Sequence, residues 1–280
     1  MITLSIIAVF MIFAICLATE RPPSESASIV NVPGCGQQKV AGTFPWVVAV
    51  VICDNSERGK SDVCAGALVS QSFVITAGDC HRPRATLSVM YGHEKLSMIS
   101  GVKDMYMTQY LATEISYMPD NEILLLLLES PIYQVTPICL NAKPFKLSKM
   151  EVEAAGWSDK FTASLGQPKS TILHLIKGFV PEELAICKSF FRVDAGHNVC
   201  LIYRDPAHKE FICKGDLGAP LMIQQNGIYS LVGFKAYRKL VLSRKCISSY
   251  KPIVFVKFHQ AHIDLLTQKA SELYAFNESA

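Results

Sequence analysis

Cys213-Lys214-Gly215-Asp216-Leu217-Gly218-Ala219-Pro220 is the stretch from which the fold can be read. At its centre stands a leucine, which has neither a proton to give up nor a lone pair to attack with, so no acyl-transfer chemistry starts on that side chain. The neighbouring Asp216, if buried, requires a partner, because an uncompensated buried carboxylate is costly. Further blocks lie upstream, in order: Cys64-Ala65-Gly66-Ala67-Leu68-Val69-Ser70, then Phe73-Val74-Ile75-Thr76-Ala77-Gly78-Asp79-Cys80, then Asp120-Asn121-Glu122-Ile123-Leu124-Leu125. Val135-Thr136-Pro137-Ile138-Cys139-Leu140 and Ala154-Ala155-Gly156-Trp157-Ser158 follow them. The apolar, β-branched run Phe44 to Val50 reads as a strand. The six apolar residues Ile123 to Leu128 are far too few for a membrane span and suit a buried strand.

These blocks, in this order, resemble the trypsin-like (chymotrypsin-fold) serine proteases over about residues 35–273. The resemblance implies an all-β fold of two packed antiparallel six-stranded β-barrels closed by a C-terminal α-helix. The corresponding division is a signal peptide 1–18, a leader 19–39, a first barrel 40–142, a second barrel with linker 143–258, and a helix and tail 259–280. Strand 172–180, a short helix from Pro181-Glu182-Glu183 to Cys187, and a C-terminal helix with Ile263, Leu266, Ala270 and Leu273 on one face complete the outline.

Residue by residue, the resemblance places this chain outside the family's catalytic pattern. Leu217 occupies the nucleophile's position. Asp79 occupies that of the general-base histidine, and an aspartate with an ordinary pKa of about 3.9 is a poor base for a hydroxyl proton near neutrality. Glu122 replaces the third member, with no imidazole to orient. His81 is not expected to substitute, since it follows a disulfide cysteine and faces differently from residue 79. The Gly215 and Leu217 N–H groups correspond to the oxyanion hole and would be vestigial. Active relatives bury a newly cut Ile-Val-Gly-Gly terminus against the aspartate matching Asp216. Only Lys39-Val40-Ala41-Gly42 imitates it, and Val40 stands so near Pro45 that the segment is about seven residues, roughly 23 Å of extended chain, too short. The activation switch is therefore expected to be absent. The specificity pocket also changes: Phe211 falls at its floor, with Arg238 and Ile253 at wall positions usually held by glycine, so a closed pocket is expected.

Ten cysteines, nine once Cys16 is set aside, point to an oxidising compartment. The resemblance pairs Cys35–Cys139, Cys64–Cys80, Cys187–Cys200 and Cys213–Cys246, which leaves Cys53 unpaired. Met1 to Ala18 is almost wholly apolar and runs into Thr19-Glu20-Arg21-Pro22-Pro23, as a secretory signal does. An uncleaved signal anchor is the alternative. Half of the residues are hydrophobic and 18% charged, which excludes a disordered chain. A net charge of +3 gives no argument for nucleic acid as a partner.

Other features carry less. Lys235, Arg238, Lys239, Arg244 and Lys245 form an acid-free run that reads either as a solvated loop or as a site for an anionic partner. His259 and His262 lie one helical turn apart, without a nearby Cys or carboxylate to complete a metal site. No nucleotide, haem or zinc pattern occurs, so no cofactor is expected. Asn277-Glu278-Ser279 is a glycosylation sequon. The expected function is that of a secreted, inactive protease homologue that binds an unknown extracellular protein. Its rivals are a weak hydrolase with a displaced nucleophile and a component assembled covalently through Cys53. Inactive mammalian members of the family are associated with the male reproductive tract, which suggests a reproductive role.

Overall fold

The structure is a computed structural model. It describes residues 32–54, 61–81, 85–92, 95–96, 109–117, 123–140, 146–158, 171–183, 185–188, 196–203, 217–236 and 252–278. Outside the described residues lie the signal segment, most of the leader, Glu122, Phe211, Cys213, Gly215, Asp216, Arg238, Lys239, Arg244, Lys245 and Cys246. The side chains of Cys53 and Asn277 lie outside them too, although Cys53 pairs through its backbone with Ser61 and Thr86.

Six strands close the first barrel: β1 (Val47–Asp54), β2 (Ser61–Leu68), β3 (Phe73–Ala77), β4 (Ala85–Met90), β6 (Gln109–Tyr117) and β7 (Ile123–Leu128), in the order β1-β2-β3-β7-β6-β4. β7 is buried at every position because one face fills the barrel and the other meets the C-terminal helix α2 (Gln260–Glu278). Ile263, Leu266 and Ala270 of α2 join the same core cluster as the β7 leucines, and their spacing places them on one helical face. The helix runs on through Glu278, beyond the apolar stripe that announces it, and Asn277 sits in its last turn.

The second barrel is the ring β9 (Glu151–Ser158), β10 (Thr171–Phe179), β11 (Asn198–Tyr203), β14 (Ile253–Lys257), β13 (Ile228–Phe234) and β12 (Pro220–Gln225). It closes where Gly178 and Phe179 of β10 meet Tyr203 and Ile202. A β-carbon on Gly178 would stand 2.3 Å from the Ile202 carbonyl oxygen, so the closure requires glycine. Asn226-Gly227, both at positive φ, form the two-residue hairpin turn between β12 and β13.

Several expected boundaries move. β1 starts at Val47 rather than Phe44, because the Phe44 carbonyl accepts the Val47 N–H at 2.9 Å in a turn that contains Pro45. The short helix α1 is only Ala185–Lys188, and Val180 ahead of it exchanges backbone bonds with Lys149 and Met150. Two short strands cross the boundary expected at 142/143. β5 (Lys95–Leu96) pairs with β10, and β8 (Cys139–Leu140) adds in parallel to β13.

One core cluster spans both barrels, and a second, including Leu221, Ile253 and Phe255, lies within the second barrel. Trp46, wholly buried, packs against Phe44 and Tyr229 and donates its indole N–H to Met222 Sδ at 3.0 Å across the two sheets. Disulfides join Cys35–Cys139, Cys64–Cys80 and Cys187–Cys200. The first of these ties down the leader, whose Gly36 N–H donates to Pro137 O and whose Gly36 carbonyl accepts from Tyr229.

Candidate functional site

Leu217 and Gly218 lie where the two barrels meet, held by backbone bonds from both sides. The Leu217 carbonyl accepts the Ala65 N–H at 2.7 Å, and the Gly218 N–H donates to Lys235 O at 2.6 Å. Lys235 returns a bond to Ala219 O at 3.0 Å. The disulfide sulfur of Cys80 lies 4.0 Å from the Leu217 carbonyl oxygen, so the fold brings residue 217 beside the turn that carries Asp79. Gly218 stands at φ +81 with no room for a side chain: a β-carbon would fall 2.0 Å from Ala65 O and 2.4 Å from Thr76 Oγ1. Thr76 already donates its hydroxyl to that same Ala65 oxygen at 2.7 Å.

The side chains at this junction differ in exposure. Leu217 is buried and belongs to the shared core. Asp79 is exposed, in a single 3₁₀ turn over Gly78–Cys80. His81, just past the turn, donates its N–H to Gly78 O, and partial burial holds its imidazole below the ordinary pKa of 6.5. The leucine side chain carries no nucleophilic atom, and the side chain at 79 is a carboxylate and not an imidazole. Glu122, Phe211, Gly215, Asp216 and Arg238, also singled out in the sequence, lie outside the described residues.

Ile253 is fully buried at the start of β14, paired with Leu201. Beside it, Lys235 is 1% exposed, with its Nζ donating to Val254 O at 3.0 Å. This corrects the basic-run reading: Lys235 is part of the core and not of a surface for an anionic partner. Reasoning along the sequence missed this residue. The signal was available, because Lys235 interrupts the apolar run Leu231 to Ala236, where a solvated lysine is out of place. The rest of the run, Arg238 to Lys245, lies outside the described residues.

Three imidazoles gather at the start of α2, and His197 is the one not expected. Its ring centroid is 6.0 Å from that of His259, which is 5.4 Å from that of His262. The His259 N–H donates to His262 Nδ1 at 3.1 Å, so His262 caps the helix rather than reaching outward. Burial first, then the positive charge of Lys257 and the neighbouring His197, hold His259 below its ordinary pKa. Among the described residues, no three His, Cys, Asp or Glu side chains converge as a metal site, and no helix is long and apolar enough to cross a membrane. The leader turn is exposed at Val40, whose carbonyl accepts both the N–H and the hydroxyl of Thr43.

The sequence model of one protein family, described as Trypsin, matches residues 34–262. Chymotrypsin-like elastase family member 1 of Homo sapiens is 26% identical over 250 residues, covering 86% of this chain and 92% of that protein. Granzyme M of Rattus norvegicus is 25% identical over 231 residues, covering 78% of this chain and 82% of its own length. Serine protease filzig of Drosophila melanogaster is 25% identical over 260 residues; these cover 85% of this chain but only 14% of filzig.

Proposed function

Since the chain belongs to the trypsin family of serine proteases, we propose that it is a secreted member that binds another extracellular protein and does not cut peptide bonds. The observation that carries this reading is Leu217 packed into the core within contact of Cys80, where acyl transfer would need a hydroxyl facing an imidazole. Asp79 in the adjoining turn supports it, because losing nucleophile or base costs about a millionfold in turnover. The filled space around Ile253 and Lys235 supports it further, since the turnover that survives such losses depends on holding a substrate.

A fluorophosphonate probe on the folded protein tests the chemistry, with a peptide ester as substrate. The expected result is no serine labelled above the denatured control and no turnover. A stoichiometrically labelled serine, with turnover abolished by its mutation, would sink the reading. Cross-linking in the native secretion, reproductive fluids first, tests the binding role; a chain recovered uncross-linked in every fluid counts against it. A monomer on a non-reducing gel argues against covalent assembly through Cys53.

A further inference from the structure

The core of the second barrel contains a lysine, and its surroundings say what the side chain does there. Lys235 follows β13, is 1% exposed, and sends its Nζ to the Val254 carbonyl on β14. Its chain borders a crevice walled by Ala154 and Gly156 on β9, Ile176 on β10, Ala219 before β12 and Phe255 on β14. That crevice has no space left for a water molecule. Small residues at Ala154 and Gly156, two apart on one face of β9, leave room, because a larger side chain there would compete for the same volume. A flexible aminoalkyl chain is an improbable choice for a barrel core, since ordering it is entropically costly and its amine must be hydrogen-bonded when desolvated.

We propose that Lys235 is a built-in ligand: its aminoalkyl chain fills, from inside the barrel, a slot whose chemistry suits a primary alkylamine. Apolar walls take the methylenes, and the Val254 carbonyl accepts from the nitrogen at the far end. The consequence for recognition is that no basic side chain of a partner enters this slot while Lys235 occupies it. The inference rests on the closed slot in the proposed reading and not on the absence of turnover.

Two measurements on the full chain test it. In the first, reductive methylation of the native protein is followed by mass spectrometry, with Lys149 and Lys177 as references, whose side chains are 70% and 58% exposed. Lys235 should be modified at least about a hundredfold more slowly than Lys149, because its reaction waits on opening of the barrel. Equal rates would overturn the proposal. In the second, Lys235→Ala removes the equivalent of n-propylamine, and that compound should raise the variant's Tm progressively with concentration. Wild type and Lys235→Met, whose slots stay filled, should not respond. A folded Lys235→Ala indifferent to n-propylamine, or a wild type that responds as strongly, also overturns it. Should Lys235→Ala fail to fold, the labelling rates decide. Ester turnover would sink the proposed function and leave this inference standing; rapid methylation of Lys235 would do the reverse.

Discussion

Substituting Gly218 by alanine is the sharpest test of how the junction is built. Two separate costs arise. The residue sits at φ +81, where a side chain brings roughly 1–2 kcal/mol of backbone strain. Its β-carbon would also stand 2.0 Å from Ala65 O, a backbone atom with no rotamer to relieve the contact. The strands must part by more than about 1 Å, and close-packed interiors resist that. Parting them weakens the Ala65–Leu217 and Gly218–Lys235 bonds, each worth about 0.5–1.5 kcal/mol net. Together these give a destabilisation of about 2–5 kcal/mol, or roughly 4–20 °C in Tm for a chain of this size. Gly92 supplies the control, because it has the same φ of +81 and nothing within 4 Å of its would-be β-carbon. Gly92→Ala should cost only the strain. Urea melts of both variants measure the difference, and equal losses would refute the argument that the barrels clamp at residue 218.

Three further outcomes follow from the same geometry. His259 is held below its ordinary pKa in the folded chain, so the unfolded chain binds protons more readily below pH 6.5. Stability should therefore be intact above pH 6.5 and fall as pH drops through and below it; Tm measured from pH 7.5 to 5 should show a shallower slope in His259→Phe. The Tyr229 phenol, buried and bonded to Glu153 at 2.9 Å, has its pKa raised to about 12. Ultraviolet titration should find one tyrosine ionising about two pH units late, and Tyr229→Phe should remove that step. Leu266→Ala in α2 deletes a fully buried side chain of the shared core and should cost about 2–5 kcal/mol in a denaturant melt.

What the sequence revealed and what it hid divide along physical lines. The six-residue run of β7 was legible because a strand buried on both faces leaves a continuous apolar signature. The C-terminal helix was legible because its buried residues recur at helical spacing on one face. Its true end was not, since no glycine or proline marks a stop between Tyr274 and Glu278. β5 and β8 were hidden for a different reason: two-residue strands leave no periodicity, and their pairing is decided by the second barrel. His197 and His259 lie far apart in the chain, and only the pairing of β11 with β14 brings them together. Lys235 was misjudged because charge was read along the chain, while burial is decided across strands.

The backbone of this junction is held without any bond from the side chain of residue 217. Nothing in the backbone bonds of Leu217, Gly218 and Ala219 requires a nucleophile; they stitch β2 of the first barrel to the start of β12 and the end of β13. Gly218 is required because Ala65 and Thr76 occupy the space where a side chain would go. Cys80 is required by its disulfide to Cys64, and that disulfide sits against Leu217. Backbone geometry here is thus fixed by assembly of the barrels through main-chain bonds and a disulfide. Of the side chains at 79 and 217, one is exposed and the other adds to the core. A glycine-centred signature in this fold is therefore evidence of how two barrels join, and only the side chains it carries speak to catalysis.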